Sequence, residues 1–251
     1  MAETVFEKVL GGGGGERPFI IGDSPRNYGD LRAAAGRIAE RLKGAGCRQG
    51  TRVAVCFDQG FEYAAALFGV WKAGGVSVLM SPDWTVHEKA RVLDHAQARL
   101  ALADTPVLGA QKPSRAVPVE GLDALLHEYS VSETESAEPG DAVLIYTSGT
   151  SGVPKGVMLT ASGITANVAA VAEYLGLGPE DRSPVFTPTC YAYSLSQNLS
   201  HAWAGAAVLP APSGLMFPRE ILLGISAHRL TGISGTPTAR SGETSSPPRR
   251  G

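Results

Sequence analysis

Apolar positions along this chain fall into helical stripes and short continuous runs that alternate. Leu31, Ala34, Ala35, Ile38 and Leu42 recur at helical spacing, with Arg32, Arg37, Glu40, Arg41 and Lys43 mostly elsewhere. That spacing predicts an amphipathic helix from Tyr28 to Gly46, closed by Gly44 and Gly46. Arg52 to Phe57 (RVAVCF) reads as a short buried strand, and Phe61 to Ala73 as an apolar helix stopped by Gly74-Gly75. A strand from Val76 to Met80 follows. Thr85 to Ala98 reads as a helix opened by a capping box, with Thr85 as the cap and Glu88 three residues on. Leu100 to Ala103 is a further strand. Strand, helix, strand, helix, strand implies an α/β protein with layered, largely parallel sheets and crossover helices.

The pattern weakens from Thr105 to Gly140, a polar stretch with prolines and an acidic run from Glu133 to Glu138. It reads as a connection with one short helix, Leu122 to Tyr129. Two apolar runs then flank a small-residue loop: Ala142 to Tyr146 and Val157 to Leu159. Ser162 to Leu175 carries Ile164, Val168, Val171 and Leu175 on one helical face, and Gly176 and Gly178 end it. Phe217 to Leu230 reads as another helix and Thr231 to Ser234 as a strand. Gly11 to Gly15 is expected to be a flexible surface loop. Ser241 to Gly251 (SGETSSPPRRG) has no apolar residue apart from its prolines, so disorder is expected there.

Composition narrows the class. With 251 residues, 43% hydrophobic and 18% charged, the chain has the makeup of a soluble globular protein. A formal charge of -2 argues for neither nucleic acid nor an anionic membrane as partner. No apolar stretch reaches membrane-spanning length, and Met1 to Thr4 does not begin a signal peptide. Cys47, Cys56 and Cys190 lack metal-site spacing, and their odd number argues against a disulfide framework. Buried thiols in a reducing, cytoplasmic setting are the expectation. Composition leaves the oligomeric state undetermined.

The chemistry concentrates between Ala142 and Thr160, AVLIYTSGTSGVPKGVMLT. Thr147-Ser148-Gly149-Thr150-Ser151-Gly152 supplies hydroxyls and glycines, and Lys155 closes the loop. Glycine lets backbone N–H groups approach an anion, hydroxyls add donors without bulk, and one lysine adds a point charge for phosphate oxygens. The Walker pattern GxxxxGK[ST] is not met, because Lys155 follows Pro154 and precedes Gly156. An ordinary Ser/Gly turn with a solvated lysine is the plainer alternative.

YTSGTSGVPKG resembles, along its whole length, the signature of the adenylate-forming superfamily of acyl-CoA synthetases, luciferases and peptide-synthetase adenylation domains. NYGDLRAAAGRIAERL, WKAGGVSVLMSP and HRLTGISGTPT are similar to further segments of that family, although each also reads simply as core. The resemblance implies an AMP-binding, adenylation-type domain over residues 1–240 with a tail from 241 to 251. It implies that Thr147, Ser148, Gly149, Thr150, Ser151, Gly152 and Lys155 hold the phosphates of ATP, and that Thr147 or Ser148 contributes an oxygen to Mg²⁺. Tyr191, Tyr193 and Ser194 stand where the family has an aromatic-rich element near the acyl pocket. Half-buried aromatics satisfied by backbone partners are the alternative there. His201, beside Trp203, reads as a core or surface residue rather than a ligand.

The activity implied is activation of a carboxylic acid, fatty in the first reading, to an acyl-adenylate, with transfer to coenzyme A. The start of a peptide-synthetase adenylation domain and a non-catalytic remnant with weak ATP binding are the alternatives. The family's later elements for adenine, ribose and the catalytic lysine are not found before SSPPRRG, so no catalytic residue is assigned. The abrupt change of composition reads as a truncation or a frameshift, and the chain by itself is expected to be inactive.

Overall fold

The computed structural model describes residues 5–108, 113–129, 137–147, 155–211 and 225–233. The elements in chain order begin with α1 (Val5–Leu10), β1 (Pro18–Ile20), β2 (Arg26–Asn27), α2 (Tyr28–Gly44), β3 (Arg52–Cys56) and α3 (Phe61–Lys72). Next come β4 (Val76–Met80), α4 (Val86–Ala96), β5 (Leu100–Ala103), β6 (Arg115–Pro118) and β7 (Leu125–Glu128). The remainder is β8 (Asp141–Thr147), β9 (Lys155–Thr160), α5 (Ala161–Leu175), β10 (Arg182–Val185), α6 (Ala192–Ala204) and β11 (Ala207–Pro210).

Two sheets form. The larger has seven strands in the order β6-β7-β5-β3-β4-β8-β9, and the smaller has four in the order β10-β11-β1-β2. Strands β5, β3, β4 and β8 run parallel, as the alternating pattern predicts. The flanks are antiparallel, β6-β7-β5 on one side and β8-β9 on the other.

Alternation within the strands sorts the core into two. Val53 and Val55 of β3 join one apolar cluster with α1, α2, α3, α5, α6 and the small sheet, whereas Ala54 and Cys56 join a second under Val92, Leu93 and Ala96 of α4. Helices therefore fill the space between the sheets, and α4 covers the outer face of the larger one. Helix α2 packs closely on α3: a Cβ on Gly69 would lie 2.5 Å from Ile38 Cγ2. The Thr85–Glu88 capping box forms as read from sequence, and a second box, Asn27–Asp30, opens α2.

Several expectations fail. Residues 122–129 hold no helix; Leu125–Glu128 is strand β7, antiparallel to β5 and β6. Four residues with Leu126 and His127 both buried are too few for periodicity to separate strand from helix. The glycine run lies at the surface as expected, apart from buried Gly13, but its middle is closely packed. A Cβ on Gly12 would fall 1.9 Å from the Trp203 carbonyl oxygen, and one on Gly13 would fall 2.4 Å from the Tyr28 ring. Residues 231–233 form no strand, but Thr231 is pinned: its N–H donates to the Arg182 carbonyl at 2.9 Å and its hydroxyl to Asp181 Oδ1 at 2.6 Å. Of the helix expected from 217 to 230, residues 225–228 are helical, and 217–224 lie outside the described residues, as do Ser234 and the tail.

Candidate nucleotide and acid site

Open parallel sheets receive ligands at the carboxyl ends of their strands, and there β8 ends. Thr147, its last residue, is the register partner of Lys155, the first residue of β9. Both are exposed. A hydroxyl and an ammonium thus stand at the two feet of the loop. Ser148, Gly149, Thr150, Ser151 and Gly152 lie outside the described residues.

One step inward, Tyr146 is paired with Gly156. A Cβ on Gly156 would meet Leu144 Cδ1 at 2.9 Å and the Tyr146 ring at 3.4 Å, so the absent side chain is what lets the tyrosine lie against the partner strand. The Tyr146 hydroxyl meets His95 Nδ1 at 2.8 Å, with the two rings edge to face at 5.6 Å. Desolvation pushes the Tyr146 phenol up to about 12, so it stays protonated near neutrality. This contact ties the root of the hairpin to the last turn of α4.

The second group lies on α6. Tyr191 is its N-cap residue and makes no side-chain capping bond; Tyr191 and Tyr193 are 55% and 45% exposed. Ser194 is fully buried and its hydroxyl accepts from Gln59 Nε2. Gln59 also donates to the Thr187 carbonyl at 2.6 Å, and Asn198 Nδ2 reaches Gln59 Oε1 at 3.3 Å. Ser194 therefore fastens α6 to the turn after β3. Tyr193, by contrast, lines a groove of about 650 Å³ between β9, α5 and α6. Buried Ile164, Val168, Leu195 and Leu199 floor it, and Thr160, Asn167, Tyr193 and Ser196 border it. Tyr191 and Ser194 are not part of its wall. Gln59, His95 and Asn167 carry no motif, and nothing in the sequence singles them out.

Other polar groups are structural. His201 is buried, its Nδ1 sits 2.8 Å from the Gln197 carbonyl, and desolvation holds its imidazole below the ordinary value. The three cysteines are free and buried, and desolvation pushes Cys56 and Cys190 up to about 11. Such thiols are poor nucleophiles. Among the described residues no helix is long and apolar enough to cross a membrane, and no cluster of His, Cys, Asp or Glu is arranged to hold a metal.

The described residues suit a phosphate chain better than a protein-caged metal. Lys155 offers charge and Thr147 a hydroxyl, whereas Mg²⁺ would find one hydroxyl oxygen here and would take its other ligands from phosphate and water.

Residues 7–247 match the AMP-binding enzyme family. The chain belongs to that family. It is similar to the nonribosomal peptide synthetase sidC of Arthroderma benhamiae, 28% identical over 84% of this chain and 4% of that protein. It is also similar to the phosphinothricin tripeptide synthetase PhsC of Streptomyces viridochromogenes, 29% identical over 87% of this chain and 21% of that protein. In fold it resembles the O-succinylbenzoate coenzyme A synthetase of Bacillus subtilis, solved in complex with AMP. The TM-score is 0.75 at 23% identity, over 94% of this chain and 62% of that one. The chain thus spans a small part of the peptide synthetases it matches.

Proposed function

We propose that this chain supplies the triphosphate-gripping and acid-receiving part of an adenylation domain that activates a carboxylic acid with ATP. The observation that carries the reading is the β8–β9 hairpin, which sets Lys155 opposite Thr147 at the carboxyl end of the parallel sheet. Lys155 neutralises phosphate charge, and the Thr147 hydroxyl with the following amides donates to phosphate oxygens. Mg²⁺ held between phosphate oxygens would supply further charge neutralisation when bound. These groups act electrostatically on an anion approaching a polyanion, the principal barrier in such a reaction.

The relatives favour the peptide-synthetase alternative over the fatty-acid reading, since the two described are both named as peptide synthetases. The thiol receiving the acyl group would then belong to a carrier domain rather than to coenzyme A. The groove beside α6 is where the acid would lie, with its carboxylate toward the hairpin.

Acid-dependent ATP–pyrophosphate exchange tests the reading and, where it occurs, overturns the expectation that the chain alone is inactive. Exchange driven by small amino, aryl or branched acids and abolished by Lys155→Ala supports it. Exchange confined to long-chain fatty acids returns the chain to the acyl-CoA synthetase reading. Nucleotide binding without exchange assigns it the non-catalytic role.

A further inference from the structure

The groove between β9, α5 and α6 has a definite chemical character. Its floor is aliphatic, with Ile164 at 6%, Val168 at 1%, Leu195 at 3% and Leu199 at 1% exposure. Among the described residues of its wall there is no acid, lysine, arginine or histidine. The rim is polar yet uncharged, and much of it is already engaged. Thr160 Oγ1 accepts from the Gly163 N–H at 3.1 Å, capping α5. Ser196 Oγ donates to Asn167 Oδ1 at 3.1 Å. With its oxygen accepting from Ser196, the Asn167 amide is neutral and brings no charge to the rim.

We propose that the groove takes the body of a carboxylic acid that is apolar and uncharged along its length, and that neutral Asn167 at the rim sets this preference. The proposal rests on the adenylation reading for the placement of the acid and goes beyond it by naming the substrate's class. A branched-alkyl or aryl body lying on Ile164, Val168, Leu195 and Leu199 would remove apolar surface from water on both sides. An ammonium or a second carboxylate resting on that buried floor would lose its water with no opposite charge among the described wall residues. Desolvating an unpaired charge costs far more than any single apolar contact returns.

The test is a direct binding titration of the full chain without nucleotide, so failure of the phosphate loop cannot mimic failure here. Hexanoate and 5-aminopentanoate form a matched pair, because the second replaces a terminal methyl by an ammonium. Hexanoate and 3-phenylpropanoate should bind at least tenfold more tightly than 5-aminopentanoate. Val168→Thr, which keeps shape and adds a hydroxyl to the floor, should weaken hexanoate several-fold while leaving the circular dichroism spectrum unchanged. Asn167→Asp, at an exposed position, should shift the ratio toward 5-aminopentanoate by tenfold or more. Equal or better binding of 5-aminopentanoate by the unmodified chain would overturn the proposal. So would no binding of either acid, or an unchanged ratio in Asn167→Asp.

Discussion

The Tyr146 hydroxyl and His95 Nδ1 lie 2.8 Å apart, joining the root of the β8–β9 hairpin to the end of helix α4. Gly156 makes this possible by leaving room for the tyrosine ring on the neighbouring strand. Tyr146→Phe should therefore lower stability by about 0.5–1.5 kcal/mol, the worth of one hydrogen bond. It should also weaken ATP binding a few-fold through a looser hairpin. Thermal melts and nucleotide titrations of the variant check both. Tyr146→Phe with unaltered melting would show that the contact contributes nothing to stability.

The glycine run gives a contrast between neighbours. Gly13→Ala should destabilise by about 1–3 kcal/mol, because its Cβ would strike the buried Tyr28 ring. Gly14 has nothing among the described residues within 4 Å of an added Cβ, so Gly14→Ala should change stability by less than about 0.5 kcal/mol. Denaturant melts of the two variants side by side decide it, and equal effects would contradict the packing described.

Acid sensitivity should come in part from His127. It is fully buried on β7, and among the described residues neither ring nitrogen has a hydrogen-bonding partner. Desolvation holds its pKa below the ordinary 6.5, so the unfolded chain binds the proton more readily. Its contribution is present above about 6.5, is lost as pH falls through the depressed folded value, and is unchanged below both. His127→Leu should flatten the stability profile on the acid side of 6.5. It should also raise stability near neutrality by about 1 kcal/mol, since an unsatisfied buried polar group is removed. Urea melts from about pH 7.5 to 5 measure both effects.

The elements with long or bounded patterns are legible in the sequence. Helix α2 shows its stripe, α4 its capping box, and β4 its edges, because local chemistry and tertiary packing demand the same residues there. Elements whose reason is non-local are not legible. Strand β7 exists because β5 offers it an edge, and the glycine run is ordered because Tyr28 and Trp203 close over it. β5 and Trp203 are both distant in sequence from the segment they hold. Of the site, the loop is legible as a contiguous motif, and its feet, Thr147 and Lys155, come together as a strand pair. The groove is not, since its floor is assembled from two separate helices, α5 and α6, whose leucines, valine and isoleucine look like any core. Ser194 shows how a suggestive residue can also have a structural partner. It belongs to a suggestive run of residues, yet its hydroxyl is taken by Gln59.

Lys155, set opposite Thr147, is proposed to grip a triphosphate. A calorimetric titration of the full chain with ATP and with inorganic tripolyphosphate, for the unmodified protein and for Lys155→Ala, measures that grip. Losing a charge-assisted contact worth about 1.5–3 kcal/mol should weaken both ligands roughly ten- to a hundredfold. Lys72→Ala, at the exposed end of α3, should leave both affinities unchanged. Tripolyphosphate should displace ATP, and AMP should bind far more weakly than either. ATP affinity that is equal in the unmodified protein and in Lys155→Ala, or tripolyphosphate that fails to compete, would contradict the account.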